Sequence, residues 1–181
     1  ENYLNSSLDV SIEKVTNDTY LKVFDSSLSE TILEGVNKDS LFSSANVNLD
    51  HKKFNLSFGL SSYENLNLKN SDRYTFVLPY YDFNKDINLE SIDGFFNISS
   101  NGNNSLQNTN NLKSLVVNNL NYKSKDFISN KGFKNNFNFY FKNLNTIAKN
   151  DTRYKSRPHV SFANIYEFSS SLPLSKETKK H

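Results

Sequence analysis

NFNFYFKN, running from Asn136 to Asn143, sets Phe137, Phe139 and Phe141 on one side of an extended chain and Asn136, Asn138 and Lys142 on the other. Side chains of a β-strand alternate between two faces, so this octapeptide reads as a strand with one apolar and one polar face. Moving outward, FNLSFGL alternates Phe54, Leu56, Phe58 and Leu60 with Asn55, Ser57 and Gly59. In HVSFANIYEF, Val160, Phe162, Tyr166 and Phe168 fall on one side. Helical periodicity is almost absent, so the chain is all-β. Two architectures take strands of this kind. A soluble sandwich turns its apolar faces toward each other, and an outer-membrane barrel turns them toward lipid.

Strands are expected near 8–15, 19–24, 41–49, 54–61, 73–80, 95–100, 113–122, 133–144 and 160–168. Tight connectors such as 50–53 and 16–18 suit hairpins between antiparallel neighbours. Asn101 to Asn111 and Ala148 to Pro158 are polar and read as long loops. Short turns on one rim and longer loops on the other are the habit of outer-membrane barrels. SETILEG, Ser29 to Gly35, is too short for more than a helical turn and reads as a loop or strand end. No fixed-period repeat suggests a solenoid or propeller.

Of the 181 residues only 36% are hydrophobic, and Asn and Ser fill roughly a third of the chain. A polar residue at every second position dilutes hydropathy, so the low mean of -0.65 is compatible with a membrane barrel. No run approaches the roughly 20 apolar residues that a spanning helix needs. With no Met, the sequence is expected to be a piece of a longer chain with its targeting signal upstream. A net charge of +2, from basic and acidic residues scattered throughout, gives no footprint for nucleic acid. Zero Cys removes disulfides, thiolate metal sites and Cys nucleophiles.

Catalytic signatures are missing. His51, His159 and His181 lack metal-ligand spacing, and no GxSxG, HExxH or phosphate-cradling glycine loop occurs. Glu90 and Asp93 form no more than a pair of loop carboxylates. The expectation is a protein that is not an enzyme, with no catalytic, cofactor-binding or metal residues.

Several segments in a fixed order carry a resemblance. NDTYLKVFD (Asn17 to Asp25) is followed by SLFSSANVNLDHKKFNLSFGLSSYENL (Ser40 to Leu66) and then by RYTFVLPYYDF (Arg73 to Phe83). This order resembles the barrel of the LptD family of lipopolysaccharide-assembly outer-membrane proteins, also called organic solvent tolerance proteins. In that family a strand start with (S/N)-D followed closely by Tyr-Leu leads to a hairpin and then to a strand ending in Leu-Pro. Asp18, Tyr20, Leu21, Leu78 and Pro79 match. Leu115 to Tyr122 and Gly132 to Leu144 resemble the next hairpin, and SSLPLSK (Ser170 to Lys176) resembles the family's Pro-Leu segment. Two departures stand out: an aromatic-rich R-Y-P form is replaced by Ser170-Ser171-Leu172-Pro173, and Trp is absent, leaving Tyr and Phe for any interfacial girdle.

The resemblance implies that residues 1–181 are part of one barrel domain: an antiparallel up-and-down meander of early strands, a partial outer-membrane β-barrel without the first and last strands or the periplasmic domain. It also implies a cell outer membrane location and transport of lipopolysaccharide to the outer leaflet of a Gram-negative bacterium. The implied partners are outer-membrane lipid, the lipoprotein plug LptE and the periplasmic bridge of the Lpt system, with no cofactor. On this reading Phe54, Leu56, Phe58, Leu60, Phe137, Phe139, Phe141 and Phe162 face lipid, while Asn55, Ser57, Asn136, Asn138 and Lys142 face the lumen. The competing expectation is a secreted or surface β-sandwich serving as a binding or adhesion module.

Overall fold

A computed structural model describes residues 4–18, 39–69, 72–87 and 93–172. These residues form nine antiparallel strands and no helix: β1 (Leu4–Ser11), β2 (Ser40–His51), β3 (Phe54–Asn65), β4 (Tyr74–Ile87), β5 (Gly94–Gln107), β6 (Asn111–Ser124), β7 (Phe127–Ile128), β8 (Lys134–Lys149) and β9 (His159–Ser171). They make one sheet in which each long strand pairs with the one before it. The two-residue β7 extends the line of β6 along the start of β8. At the break between them the Ser124 hydroxyl accepts a hydrogen bond from the Phe137 N–H at 2.8 Å. The up-and-down meander is therefore as expected, and the sheet is not closed into a barrel.

The sheet is a single layer. Among the described residues every substantial contact between elements joins hydrogen-bonded neighbours, with no second sheet stacked on either face. The buried hydrophobic residues are Leu41, Leu66 and Ala148, and no large side chain is fully buried. Strand pairing, rather than a core, holds this fold together.

Three sequence expectations need correction. Asn101 to Asn111 is not a long loop: β5 runs through it to Gln107, and only 108–110 turn before β6. Asn108 and Thr109 have φ of 51° and 54° there, a left-handed backbone that Asn tolerates well. The stretch is poor in strand-forming residues, yet β4 and β6 offer backbone partners on both sides, and tertiary pairing overrides weak propensity. Second, β1 is Leu4–Ser11 rather than 8–15, and it pairs with β2; the second strand of the hairpin expected at 16–18 falls on residues that are not described. The expected strand at 19–24 and the SETILEG segment lie outside the described residues, as do Tyr20 and Leu21. Third, most strands are longer than expected; β8 continues to Lys149.

Leu78 and Pro79 form a bulge in β4. The register jumps from Val77 to Tyr80, and the two residues stand against the single Leu60 in β3 and the single Asn104 in β5. Proline has no N–H to give a ladder, and sheets tolerate it at such irregularities. The extra residue switches the phase of β4: Tyr74 and Phe76 above the bulge share a face with Tyr81 and Phe83 below it.

The strands are staggered in one sense. Leu4, His51, Phe54, Lys85, Ile98, Leu120, Phe141 and Asn164 are register partners along one line across the sheet. His51 and Phe54 end their strands at this line. Lys85 stands two residues from the end of β4, Ile98 and Leu120 four from the ends of β5 and β6, and Phe141 and Asn164 seven from Lys134 and Ser171. The rim thus slips by about one residue per strand. With ~3.3 Å per residue and ~4.8 Å between strands, that slip inclines the strands by about 35° to the rim normal. At the lower rim lie the 52–53 turn, the end of β4, the start of β5 and the 129–133 turn; at the upper rim lie the end of β1, the start of β2, the end of β3, the start of β4, and the connections 108–110 and 150–158.

Candidate functional site

The candidate site is the pair of faces of this sheet. Because register partners share a face, the line through Phe54 and Phe141 places both on one side, and the pairs Phe58↔Val47, Leu56↔Leu49, Phe139↔Tyr166 and Asn143↔Phe162 extend that side. All eight residues expected on an apolar face occupy it together. The neighbouring line Asp50, Asn55, Asn84, Ser99, Asn119, Lys142 runs along the opposite face, where Ser57, Asn136 and Asn138 also lie. Large exposed hydrophobic side chains are concentrated on the first face: Phe58 is 44% exposed, Phe162 66% and Phe168 65%.

The second face is a hydrogen-bonded polar surface. The Asn48 amide donates to Ser7 Oγ at 3.3 Å and to Asp9 Oδ2 at 3.1 Å; Asn46 donates to Asn48 Oδ1, and the Ser57 hydroxyl donates to Asn46 Oδ1. Further along, Asn97 donates to Asn84 and Asp86, both at 2.7 Å. Asn119 donates to Ser99 Oγ, and the buried Asn138 donates to Glu167 Oε2 at 3.0 Å. Amides and hydroxyls that satisfy one another while half-exposed keep donors and acceptors available to water or to sugar hydroxyls.

Sequence reasoning missed a polar ladder on the apolar face. Tyr81 Oη and Ser100 Oγ are 3.0 Å apart; Ser100 donates to Asn118 Oδ1 at 2.7 Å, and Asn118 donates to Asn143 Oδ1 at 2.9 Å, which also accepts from Asn145. The signal was present in Val116-Val117-Asn118-Asn119, a doublet pattern that gives each face one apolar and one polar residue.

At the upper rim, Arg73 ties three segments together. Its guanidinium meets Asp18 through two nitrogens, at 2.8 and 3.3 Å, and Glu64 Oε1 at 2.7 Å, while the Tyr74 hydroxyl donates to Glu64. The Arg73 hydrogen bond holds the Asp18 carboxyl below its ordinary range, and Asp18 in turn raises Arg73. Asp18 is thus placed by contact, whereas Leu78 and Pro79 sit in the β4 bulge. On the lower rim, Lys134 and Asn136 hold the Asp126 carboxyl below its ordinary range.

The remaining candidates do not converge. His51 closes β2 against the Phe54 ring, and His159 opens β9 beside Ser161. Asp93 pairs with Lys125 at 3.1 Å, while Glu90 and His181 lie outside the described residues. Among the described residues no group of three His, Asp or Glu is placed to hold a metal ion. Comparison of the chain with known protein families, curated proteins and solved structures gives no match.

Proposed function

We propose that the chain is a wall segment of an outer-membrane β-barrel that delivers lipopolysaccharide to the outer leaflet. The observation that carries this reading is the single-layered sheet with its large apolar side chains exposed on one face and a hydrogen-bonded Asn/Ser/Lys surface on the other. Lipid suits the first face and a hydrated passage for sugar and phosphate groups suits the second. A sandwich would have covered the apolar face with a second sheet. The rim-to-strand inclination of about 35° lies at the lower bound of the strand tilt of membrane barrels, ~35–45°. The specific cargo rests on the LptD-like order of segments, as do the partners: the lipoprotein plug LptE in the lumen and the periplasmic bridge. No covalent step is involved.

The test is photocrosslinking in living cells. A photoreactive residue at Lys142 is expected to trap lipopolysaccharide only while export is running, and one at Phe139 to trap membrane lipid whether or not it runs. Lipid adducts at Phe139 with no lipopolysaccharide at Lys142 would leave a barrel with a different cargo. Without detergent the chain is expected to aggregate, since both strand edges and the apolar face are uncovered. A monodisperse, cooperatively melting monomer in plain buffer would overturn the membrane reading.

A further inference from the structure

One row of rings on the apolar face follows the sloping rim rather than the straight line of register partners. It runs through His51, Phe54, Phe96, Tyr122, Phe137 and Phe168, interrupted at β4, where Ile87 is the register partner of Phe96. The first two close their strands, Phe96 and Tyr122 stand two residues in from Gly94 and Ser124, and Phe137 and Phe168 stand three in from Lys134 and Ser171. Ring centroids are 5.0 Å apart for His51 and Phe54, 4.6 Å for Phe96 and Tyr122, and 6.2 Å for Tyr122 and Phe137. Phe137 and Phe168 are direct register partners. From β3 to β8 the row drops four residues relative to the transverse line, from Phe54, whose partner line reaches Phe141, down to Phe137.

Below the row Lys52 and Lys53 follow His51, Lys134, Asn135 and Asn136 precede Phe137, and Ser169, Ser170 and Ser171 follow Phe168, while β7 sets the exposed Phe127 and Ile128 beside Asn135 and Lys134. Above it the same face continues with Leu56, Phe58, Ile98, Leu120 and Phe141. A row of aromatic rings between a polar edge and an apolar band is what a membrane interface selects, because a ring tolerates both neighbours.

We infer that this row of rings marks the headgroup level of the periplasmic leaflet, with the bilayer as its partner and the strands crossing at about 35°. The inference rests on the barrel reading and adds to it the depth and slope of the wall in the membrane. The periplasmic side follows from the chain lengths between strand ends: no two consecutive long strands that join at the lower rim are more than about ten residues apart in sequence, whereas β1 ends at Ser11 and β2 begins at Ser40 on the upper rim, and outer-membrane barrels keep short turns on the periplasmic side.

The chain contains no Trp, so one introduced indole reports its own position. Phe54→Trp, Phe96→Trp, Phe137→Trp and Phe141→Trp, each inserted into phosphatidylcholine vesicles with acyl chains brominated at defined depths, give four fluorescence-quenching profiles. Heat-modifiable gel mobility confirms that each variant has inserted. The first three are expected to share a shallow depth, quenched most by the bromines nearest the headgroups. Phe141→Trp is expected to lie about 11 Å deeper, from four residues at ~3.3 Å each along a strand inclined by about 35°. Equal depths for Phe54→Trp and Phe141→Trp would reject the slope. Deep quenching of Phe54→Trp, Phe96→Trp and Phe137→Trp would reject the row as an interface. Quenching of none of the four would reject the membrane reading itself, an outcome distinct from the other two.

Discussion

The two halves of the apolar face differ. In β2 and β3 its middle is made of Val47, Leu49, Leu56 and Phe58, with no polar side chain among them. In β5, β6 and β8 the same height carries Ser100, Asn118 and Asn143, joined side chain to side chain and reached from β4 by Tyr81. On the proposed membrane reading the first half suits a hydrocarbon partner by composition alone, and the second by pairing polar groups with one another, since an amide in an apolar medium is costly only when unmatched. Asn143 is only 8% exposed, whereas its register partner Phe162 is 66% exposed.

The strongest way to break this comparison is to place a charge on the face. Phe139→Arg, in the half that carries the ladder, is expected to cost roughly 2–4 kcal/mol of folding stability in a bilayer, whereas Asn138→Arg keeps its charge on the polar face beside Glu167 and costs little. Urea unfolding of vesicle-inserted protein reads both. Equal tolerance would reject the assignment of faces, and a large loss from Asn138→Arg alone would mean that the lipid and lumen sides are reversed.

Cutting the ladder comes next. Asn118→Leu removes one hydrogen bond each from the Ser100 hydroxyl, which keeps Tyr81, and the Asn143 carbonyl, which keeps Asn145, and the expected loss for the two bonds is about 1–3 kcal/mol. Replacing the set, with Ser100→Ala, Asn118→Leu and Asn143→Leu combined, is expected to recover most of it, because removing both partners of a buried hydrogen bond is close to neutral. A triple variant weaker than the single one would show that the ladder binds something outside the sheet rather than only itself.

Gly102 sharpens the contrast at lower cost. It is the register partner of Tyr81, and a Cβ there would stand 2.5 Å from the ring's Cε1 and 3.1 Å from the Leu115 carbonyl. Gly102→Ala must push the ring away and with it the contact to Ser100, at a net cost of about 1 kcal/mol after the gain from a stiffer unfolded chain. Gly59 is the register partner of Tyr80 on the polar face, where a Cβ would stand 2.5 Å from the Ala45 carbonyl oxygen and 2.7 Å from the Tyr80 hydroxyl. There the ring anchors no ladder, so Gly59→Ala is expected to leave the vibrational signature of the Asn118 and Asn143 amides unchanged while Gly102→Ala shifts it.

What the sequence shows plainly is the period of two. NFNFYFKN and FNLSFGL place every expected residue on its face, because a one-residue error would have inverted all of them together. Where two like residues adjoin, as in Val116-Val117 and Asn118-Asn119, the period no longer tells the faces apart, and the ladder stayed hidden. Asn101 to Gln107 was unreadable for another reason: its strand is made by the backbones of β4 and β6, and nothing local announces them. The slope of the rim is equally nonlocal, being a property of register between strands that no single strand contains. The Leu78-Pro79 bulge lies between, since the proline marks the place but not the change of phase.

The smallest effect expected is at the upper rim, far from the ladder, where Asp18 holds Arg73. A carboxyl whose folded pKa is depressed stabilises the folded state above its unfolded value, ~3.9, and that contribution is lost as pH falls through the folded value. Acidification below pH ~4 should therefore release Asp18 from Arg73, while at neutral pH the pair is intact. Because Asp18 is solvent-exposed and Glu64 still holds the guanidinium at 2.7 Å, the release should loosen residues 12–18 locally without opening the sheet. Amide hydrogen exchange at Asp18 and Arg73 measures this: protection should fall on acidification in the unmodified chain and be low at every pH in Asp18→Asn. Exchange at Phe58 and Asn118 should stay the same in both. If Asp18→Asn changed exchange at Asn118, the rim and the ladder would be one cooperative unit, and the division of the face into two independent halves would fail.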